Sequence, residues 1–370
     1  MLYLEYIFFA AIIAQLIYFT LFVIAFSRKT KAVSALSLPS ATPLSVVVCA
    51  HDELENLQVL IPSLLQQQHP NFEVIVVDDR SNDATRDWLL EETKLYPSLR
   101  MVHVDHTPDH INGKKYALTL GIRAAKHDWI VLTDADCLPE STNWLSGLSE
   151  SISESTQIIL GYSPYQKKTG WLNLFIRFES IITALQYMGF ALLKRPYMGV
   201  GRNMAYRKSL FMDNKGFTNM LSSTGGDDDL FVNKHAKGSN TAVAIGAHTL
   251  VSSVPKTTVA EFFQQKIRHM AAGKRYKFID RLLLAPFLLS WLLSLILGIT
   301  LLFLSTNPIF IAAALLLRLL VMTTTLYIAT KRLGDSFELW ALLVLDIIYG
   351  IYYLTTAPTA LLTKKIQWKN

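Results

Sequence analysis

Hydrophobic positions along this chain fall into two rhythms. In the first, charge is absent over long stretches: Tyr6 to Phe26 carries none, nor does Leu282 to Leu317, which is broken only by Ser305-Thr306-Asn307-Pro308. A helix needs roughly 20 apolar residues to cross a bilayer. Spans are therefore predicted at about 4–26, 282–304 and 308–330, with a fourth at 339–362. In the second rhythm, short β-branched runs alternate with stretches of helical spacing. Leu44-Ser45-Val46-Val47-Val48-Cys49 reads as a buried strand, followed by a helix over about 55–67 whose Leu57, Leu60, Ile61, Leu64 and Leu65 share one face. Strands are then expected at 71–77, 99–104 and 129–133, and helices at 83–93 and 114–126. This alternation predicts βαβ units, a mostly parallel doubly wound sheet and an α/β fold class.

Between the rhythms lies the greasy stretch Trp171 to Tyr197, with 14 uncharged residues from Ser180 to Leu193. An interfacial or buried helix is expected there and not a span, because a crossing would separate polar groups that belong together.

Composition agrees with a membrane protein. Of 370 residues, 51% are hydrophobic, above the range of ordinary soluble enzymes. The leader before the first span holds Glu5 and no basic residue, whereas Arg28, Lys29 and Lys31 follow it. This favours a retained anchor over a cleaved signal peptide, with residue 27 onward cytoplasmic. The net charge of +6 is modest. Lys266, Arg268, Lys274, Arg275, Lys277 and Arg281 cluster before the second span, where they meet anionic headgroups. No nucleic-acid recognition motif accompanies them. Cys49 and Cys137 are expected to be reduced core thiols. Arg318 and Asp346 are costly inside a bilayer and are expected to pair.

Parallel sheets bind ligands at the carboxyl ends of their strands, and the polar clusters fall there: Ala50-His51-Asp52-Glu53, Asp78-Asp79-Arg80-Ser81 and Asp134-Ala135-Asp136. The last triplet sits at the end of an apolar strand, so Asp134 and Asp136 are expected to point the same way. Two such carboxylates suit Mg²⁺ or Mn²⁺ together with a diphosphate. A third group, Asp227-Asp228-Asp229, supplies a candidate general base. Its structural alternative is an N-terminal cap for a helix from Leu230 to Ala236.

The ordered set Val46–Leu57, Phe72–Ser81, Gly113–Gly121 and Thr133–Asp136 resembles family 2 glycosyltransferases of the GT-A fold over Leu44 to about Gly238. The resemblance implies a nucleotide-sugar donor, normally a UDP-sugar. It places Ala50, His51 and Glu53 along the nucleotide cleft, Asp79, with Asp78 beside it, at the base, and Lys114 near the nucleotide. Asp134 falls near ribose and metal, and Asp136 on the metal. Position 52, where the family commonly has Asn, is Asp and has no assigned role. Asp227-Asp228-Asp229-Leu230 resembles the family's Asp-x-Asp-Leu stretch, whose first aspartate is the base. Gly226 stands where the family has Glu, so the base is Asp227 or Asp228. Gln265-Lys266-Ile267-Arg268-His269 resembles the Gln-x-x-Arg-Trp element of membrane-bound members, which implies a donor-phosphate contact for Arg268 and positioning roles for Gln265 and His269. Gly199 to Tyr206 resembles the segment under the acceptor pocket, where glycines permit close backbone approach.

The expected organisation is an anchor at 1–27, a linker at 28–43, a cytoplasmic GT-A domain at 44–255, an amphipathic interfacial segment at 256–281, two or three transmembrane helices at 282–363 and a tail at 364–370. Four full crossings would leave Lys364, Lys365 and Lys369 outside, against the charge rule, so the last segment is expected to be broken or re-entrant. The expectation is an inverting, metal-dependent glycosyltransferase of the inner membrane that acts on a hydroxyl of a lipid or lipid-linked acceptor. A processive polysaccharide synthase and a non-catalytic scaffold are the alternatives.

Overall fold

The computed structural model describes residues 2–28, 42–221 and 225–362. Most of the expected linker and the whole tail 364–370 lie outside the described residues. The chain forms two compact units. One gathers Met1–Lys29, Lys167–Phe190 and Lys256–Ile366; the other is built mainly from Thr30–Gln166 and Ala191–Pro255.

The second unit is organised by its sheet. Its strands are β1 (Leu44–Ala50), β2 (Phe72–Asp79), β3 (Leu99–Val104), β4 (Trp129–Leu132), β5 (Cys137–Pro139), β6 (Ile158–Leu160), β7 (Met204–Arg207), β8 (Thr241–Val243) and β9 (Val251–Ser253). Seven of them form one sheet in the order β3-β2-β1-β4-β7-β6-β8, and β5 pairs with β9 apart from it. β1 pairs in parallel with β2 and β4, as does β2 with β3, and β7 runs antiparallel to both of its neighbours. The sheet is therefore mostly parallel. Alternate side chains of β1 go to opposite faces. Val46 and Val48 join Leu57, Leu60, Ile61 and Leu64 of the helix Leu54–Leu65 in one core. On the other face, Gly121 of the helix Gly113–Ala124 lies against Val47 and Val77, and a Cβ there would come within 2.7 Å of both. The strand order reverses between β1 and β4, so the carboxyl ends of β1, β2 and β4 share an edge at a topological switch point.

The first unit holds four helices long and apolar enough to cross a membrane: Leu2–Ser27, Phe278–Leu304, Pro308–Leu333 and the segment Leu339–Leu362. Polar side chains tie the first helix to the second and to the turn that follows it. Gln15 Nε2 donates to the Phe287 carbonyl at 2.9 Å, Tyr18 OH donates to the Leu283 carbonyl at 2.7 Å, and Ser305 Oγ donates to Glu5 at 2.7 Å. Arg318 and Asp346 form a buried bidentate pair at 2.6 and 3.0 Å, as expected, with the guanidinium over Trp291. The greasy stretch is one helix, Trp171–Leu192, and it is not among the four. Its two charges are paired inside this unit: Arg177 binds Glu338 at 2.7 Å, and Glu179 accepts from Lys266 on the helix Val259–Gly273. Residues 167–190, read from sequence as part of the 44–255 domain, thus pack with the apolar helices.

Candidate active site

The edge of the sheet where β1, β2 and β4 end gathers the first two aspartate groups. The turn after β1 is fastened to the turn after β2. His51 Nδ1 donates to the Asp79 carbonyl at 2.6 Å, and Asp52 Oδ1 accepts from the Asn82 amide at 2.6 Å. Asp52 has φ +53°, a conformation that Asn and Asp tolerate better than most residues. Position 52 is therefore a latch between two turns. Glu53 is held by the Thr85 hydroxyl at its backbone amide (3.2 Å) and by Asn56 at its carboxylate (2.5 Å).

Asp78 and Asp79 part company. Asp78 is fully buried, with one oxygen on His103 Nδ1 at 2.7 Å and the other on the Ser81 amide at 3.2 Å. That is a structural role. Asp79 pairs instead with Arg80 Nε at 2.8 Å, beside Gly113 at the start of the helix Gly113–Ala124. A Cβ at Gly113 would sit 2.7 Å from Arg80 and 3.1 Å from Asp79, so glycine is what lets the helix start approach this pair.

Lys114 joins the second and third aspartate groups. Its Nζ lies 3.0 Å from Asp134 and 3.5 Å from Asp227. Burial disfavours the ammonium, but the fields of Asp134, Asp227 and Asp228 hold its pKa well above the ordinary lysine value. The cleft around it is lined by Val47, Cys49, Leu132, Thr133, Gly201 and the two aspartates.

The Asp-Ala-Asp triplet departs from expectation. β4 ends at Leu132, so 134–136 is a turn and strand alternation does not govern it. Asp134 faces Lys114. Asp136 stays within the field of Asp134 but also faces Arg202, and burial followed by the Asp134 charge raises its carboxyl pKa. Burial also pushes the Cys49 and Cys137 thiols up, which keeps them protonated.

In the third group the capping alternative applies to Asp228. The helix is Asp229–His235, shifted one residue toward the N-terminus from expectation, and Asp228 is its N-cap. Its carboxylate accepts from the Asp229 amide at 2.7 Å and from the Gly201 amide at 2.8 Å. Burial, followed by the Asp227 charge, raises its pKa. Asp227 keeps its carboxylate toward Lys114. Gly226 has φ +87° and a Cβ there would fall 2.5 Å from Leu230, so the family's Glu has no room at this position. Gly199 and Gly201 do permit close approach, to Leu160 and to Asp228 respectively.

Ala50, His51, Glu53, Asp79, Lys114, Asp134, Asp136, Asp227 and Asp228 all belong to the sheet unit, whereas Gln265, Arg268 and His269 lie on the helix Val259–Gly273 of the other unit. Sequence reasoning missed His103, Arg80 and Arg202 as neighbours of the aspartates. Positions 80 and 103 follow and pair with β2, a signal that strand register would have supplied.

The oxygen-rich pair Asp134 and Asp136 fits a hard divalent cation. Among the described residues no set of three His, Cys, Asp or Glu side chains converges on one point. Mg²⁺ or Mn²⁺ tolerates this, because both commonly complete their shells with water and phosphate oxygens.

The family model for glycosyl transferase family 2 matches residues 45–214. The probable glycosyltransferase YdaM of Bacillus subtilis is 32% identical over 99 residues, 26% of this chain and 23% of YdaM. The glycosyltransferase AglE of Haloferax volcanii is 24% identical over 234 residues, covering 61% of this chain and 71% of AglE. The chain thus spans under a quarter of YdaM and nearly three quarters of AglE. In fold the chain resembles the mannosyltransferase PcManGT of Pyrobaculum calidifontis, solved with GDP-Man and Mn²⁺, at a TM-score of 0.60, 19% identity and coverage of 98% of this chain and 100% of that one. Residues 45–214 belong to glycosyl transferase family 2 with the GT-A fold, in a chain that also carries four helices long and apolar enough to cross a membrane.

Proposed function

We propose that the protein is an inverting glycosyltransferase moving a sugar from a nucleotide-sugar, a UDP-sugar by family resemblance, to a hydroxyl of a lipid or lipid-linked acceptor at the cytoplasmic face of the inner membrane. The observation that carries this reading is Lys114, which brings Asp134 and Asp227 to one cleft at the switch point of the sheet. Ala50, His51, Glu53 and Asp79 line the nucleotide end. Asp134 and Asp136 would hold Mg²⁺ or Mn²⁺, which when bound neutralises charge on a leaving diphosphate.

Asp227 is the general base. Asp228 has both oxygens committed to backbone amides, so it is poorly placed to take a proton. The Asp227 carboxylate accepts the proton of the acceptor hydroxyl as the hydroxyl oxygen bonds to the anomeric carbon from the side opposite the leaving group, and the bond from that carbon to the nucleoside diphosphate breaks. Lys114 holds the Asp227 carboxylate in place and balances its charge. The apolar helices favour an acceptor carried by the membrane.

The test is incubation of membranes containing the chain with labelled UDP-sugars and GDP-sugars and Mn²⁺, followed by analysis of the lipid extract. One labelled lipid product is expected, lost with EDTA and lost in Asp136→Asn and Asp227→Asn. Unchanged incorporation in both variants would overturn the reading, and products many sugars long would replace single addition by processive synthesis.

A further inference from the structure

Arg202 carries no role above. It precedes β7, and its guanidinium stacks on Tyr165 at 4.4 Å. Nη2 donates at 3.4 Å, a long contact, to the Ser163 carbonyl, and Nη1 is buried with no hydrogen-bond partner among the described residues. Asp136 and Asp134 lie within its electrostatic reach. The hydrogen bond found for Asp136 is from Cys137 Sγ at 3.5 Å, a weak donor. A buried guanidinium with an unpaired N–H therefore lies in the field of a weakly satisfied carboxylate, with no salt bridge between the two among the described residues. Native proteins rarely leave a buried guanidinium N–H unpaired, because the lost solvation is not recovered. Such an arrangement suits a ligand that offers oxygen to the guanidinium and a cation to the carboxylate.

We propose that Arg202 is a donor-phosphate ligand: Nη1 donates to a phosphoryl oxygen of the nucleoside diphosphate moiety, near Asp136, which would hold the metal. This rests on the glycosyltransferase reading. Tyr165 fixes the guanidinium plane, so Lys cannot replace Arg there without losing the directed N–H. The guanidinium and Lys114 then flank the Asp134–Asp136 turn.

The test is calorimetric binding of UDP, GDP, uridine and guanosine to the full-length protein in nanodiscs with Mn²⁺. Arg202→Met should weaken binding of the accepted diphosphate by about tenfold or more, the range of a lost charge-assisted hydrogen bond, and leave binding of its nucleoside unchanged. Arg202→Lys, which keeps the buried charge and guards against a folding defect, should recover only part of the loss. Wild-type affinity for the diphosphate in Arg202→Met or Arg202→Lys overturns the assignment to Arg202 alone. A wild-type protein that binds neither diphosphate overturns the glycosyltransferase reading with it.

Independent observations concern the last helix. Glu5 meets Ser305, so the start of Leu2–Ser27 and the turn between Phe278–Leu304 and Pro308–Leu333 share one end of the bundle. Ser27, Phe278 and Leu333 then share the other. Residues 334–341 leave from that second end, and near the start of the unbroken helix Leu342–Leu362 Asp346 meets Arg318 and Trp291, both near the middles of their helices. The helix then runs back toward the second end. Tyr352 packs on Phe262 and Phe263 at 5.9 and 5.6 Å, and the Leu361 carbonyl accepts from Lys274 Nζ at 2.7 Å, four residues before Phe278. The helical rise from Asp346 to Leu361 is about 22 Å, comparable to the distance from mid-helix to the second end.

We infer that Gly334–Leu362 is re-entrant, entering and leaving the bilayer on one side, so that three helices cross. Lys274, Arg275, Lys277, Arg281, Lys331 and Arg332 mark that side, while among the described residues the opposite end offers Glu5 and no basic residue. All these cations meet anionic headgroups of one leaflet, in accord with the charge rule. Reporter fusions after Asn370, at Asp335 and at Thr306 test it. The reporter after Asn370 should take the side of Asp335, and impermeant thiol labelling of Lys369→Cys in intact cells should be absent until lysis. A reporter after Asn370 on the side of Thr306 overturns the inference, whatever the enzyme's activity.

Discussion

Asp227 and Asp228 are neighbours with the same side chain, yet their Asn variants should fail in opposite ways. The Asp228 carboxylate accepts two backbone amides, Gly201 at 2.8 Å and Asp229 at 2.7 Å. Asn is as good a cap as Asp, so the Asp229 bond survives in Asp228→Asn. The Gly201 amide, however, then faces an NH₂ donor. Losing one charge-assisted bond and leaving a buried donor unmet costs about 2–3 kcal/mol. For a unit of this size that lowers the melting temperature by roughly 5–10 °C. Asp227→Asn loses only the longer contact to Lys114, at 3.5 Å, while Lys114 keeps Asp134 at 3.0 Å. The gross attraction at 3.5 Å is about 5 kcal/mol at an effective dielectric of 20, and recovered solvation offsets most of it. A net loss under about 2 kcal/mol is expected.

Activity should invert that order. Removing a general base costs about 10²–10⁴ in rate, so Asp227→Asn should be stable and nearly inactive. Asp228→Asn should be less stable and retain at least a tenth of wild-type sugar transfer at temperatures where it is folded. Thermal unfolding of the detergent-solubilised protein and initial rates at 20 °C below each melting point give the two numbers. A stable, inactive Asp228→Asn beside an active Asp227→Asn would refute the reasoning and move the base by one residue.

Lys114→Met leaves Asp134 and Asp227 facing each other without their cation, which should lower stability by about 3 kcal/mol or more and make the melting temperature rise on addition of Mn²⁺ by more than in wild type. Arg318→Ala should destabilise by about 3–5 kcal/mol because Asp346 is left buried and unpaired, and Arg318→Met with Asp346→Leu should recover most of it, both read as melting temperature in detergent. Burial would raise the Glu73 carboxyl, but bonds from the Lys126 amide, Ser45 and Arg100 outweigh it and hold the pKa below the ordinary value of 4.5. A lowered pKa means the folded state binds fewer protons than the unfolded chain, so this contribution is complete above about pH 4.5 and is lost as pH falls through the lowered value. Denaturant titrations from pH 7 to pH 3 should therefore show a shallower acid decline for Glu73→Gln, with a loss of about 2 kcal/mol at pH 7.

The first four strands were legible because they are apolar runs bounded by polar turns, and β1, β2, β3 and β4 fall within two residues of expectation, whereas the short β6, β7 and β8 of the same sheet, β7 being Met-Ala-Tyr-Arg, were not expected. The four long apolar helices were legible because each is a long, mostly uncharged stretch of the sequence. The affiliation of residues 167–190 was not. Arg177 and Glu179 argue against a span, but their partners Glu338 and Lys266 lie far along the chain, where no local pattern points to them. The latch made by Asp52 was equally hidden, since it depends on a positive φ and on amides of a turn thirty residues away.

Adjacent aspartates illustrate how far sequence spacing reaches. In Asp78-Asp79 the chain is still strand, neighbours face opposite ways, and alternation alone predicts that one is core and the other cleft. In Asp227-Asp228-Asp229 a helix begins, and a helix start has a fixed need for an acceptor at its cap. That need claims Asp228, and Asp227 is left outside the first turn with its carboxylate near Lys114. In Asp134-Ala135-Asp136 the strand has already ended, so neither period applies, and the two carboxylates divide between Lys114 and the neighbourhood of Arg202. The spacing i to i+2 is the same in Asp134/Asp136 and in Asp227/Asp229, yet one pair stays within a shared field while the other splits between cleft and helix. What decides the role of each aspartate is the element its backbone is leaving or entering, together with the cation across the cleft. Lys114 is therefore the residue whose removal tests the whole constellation at once.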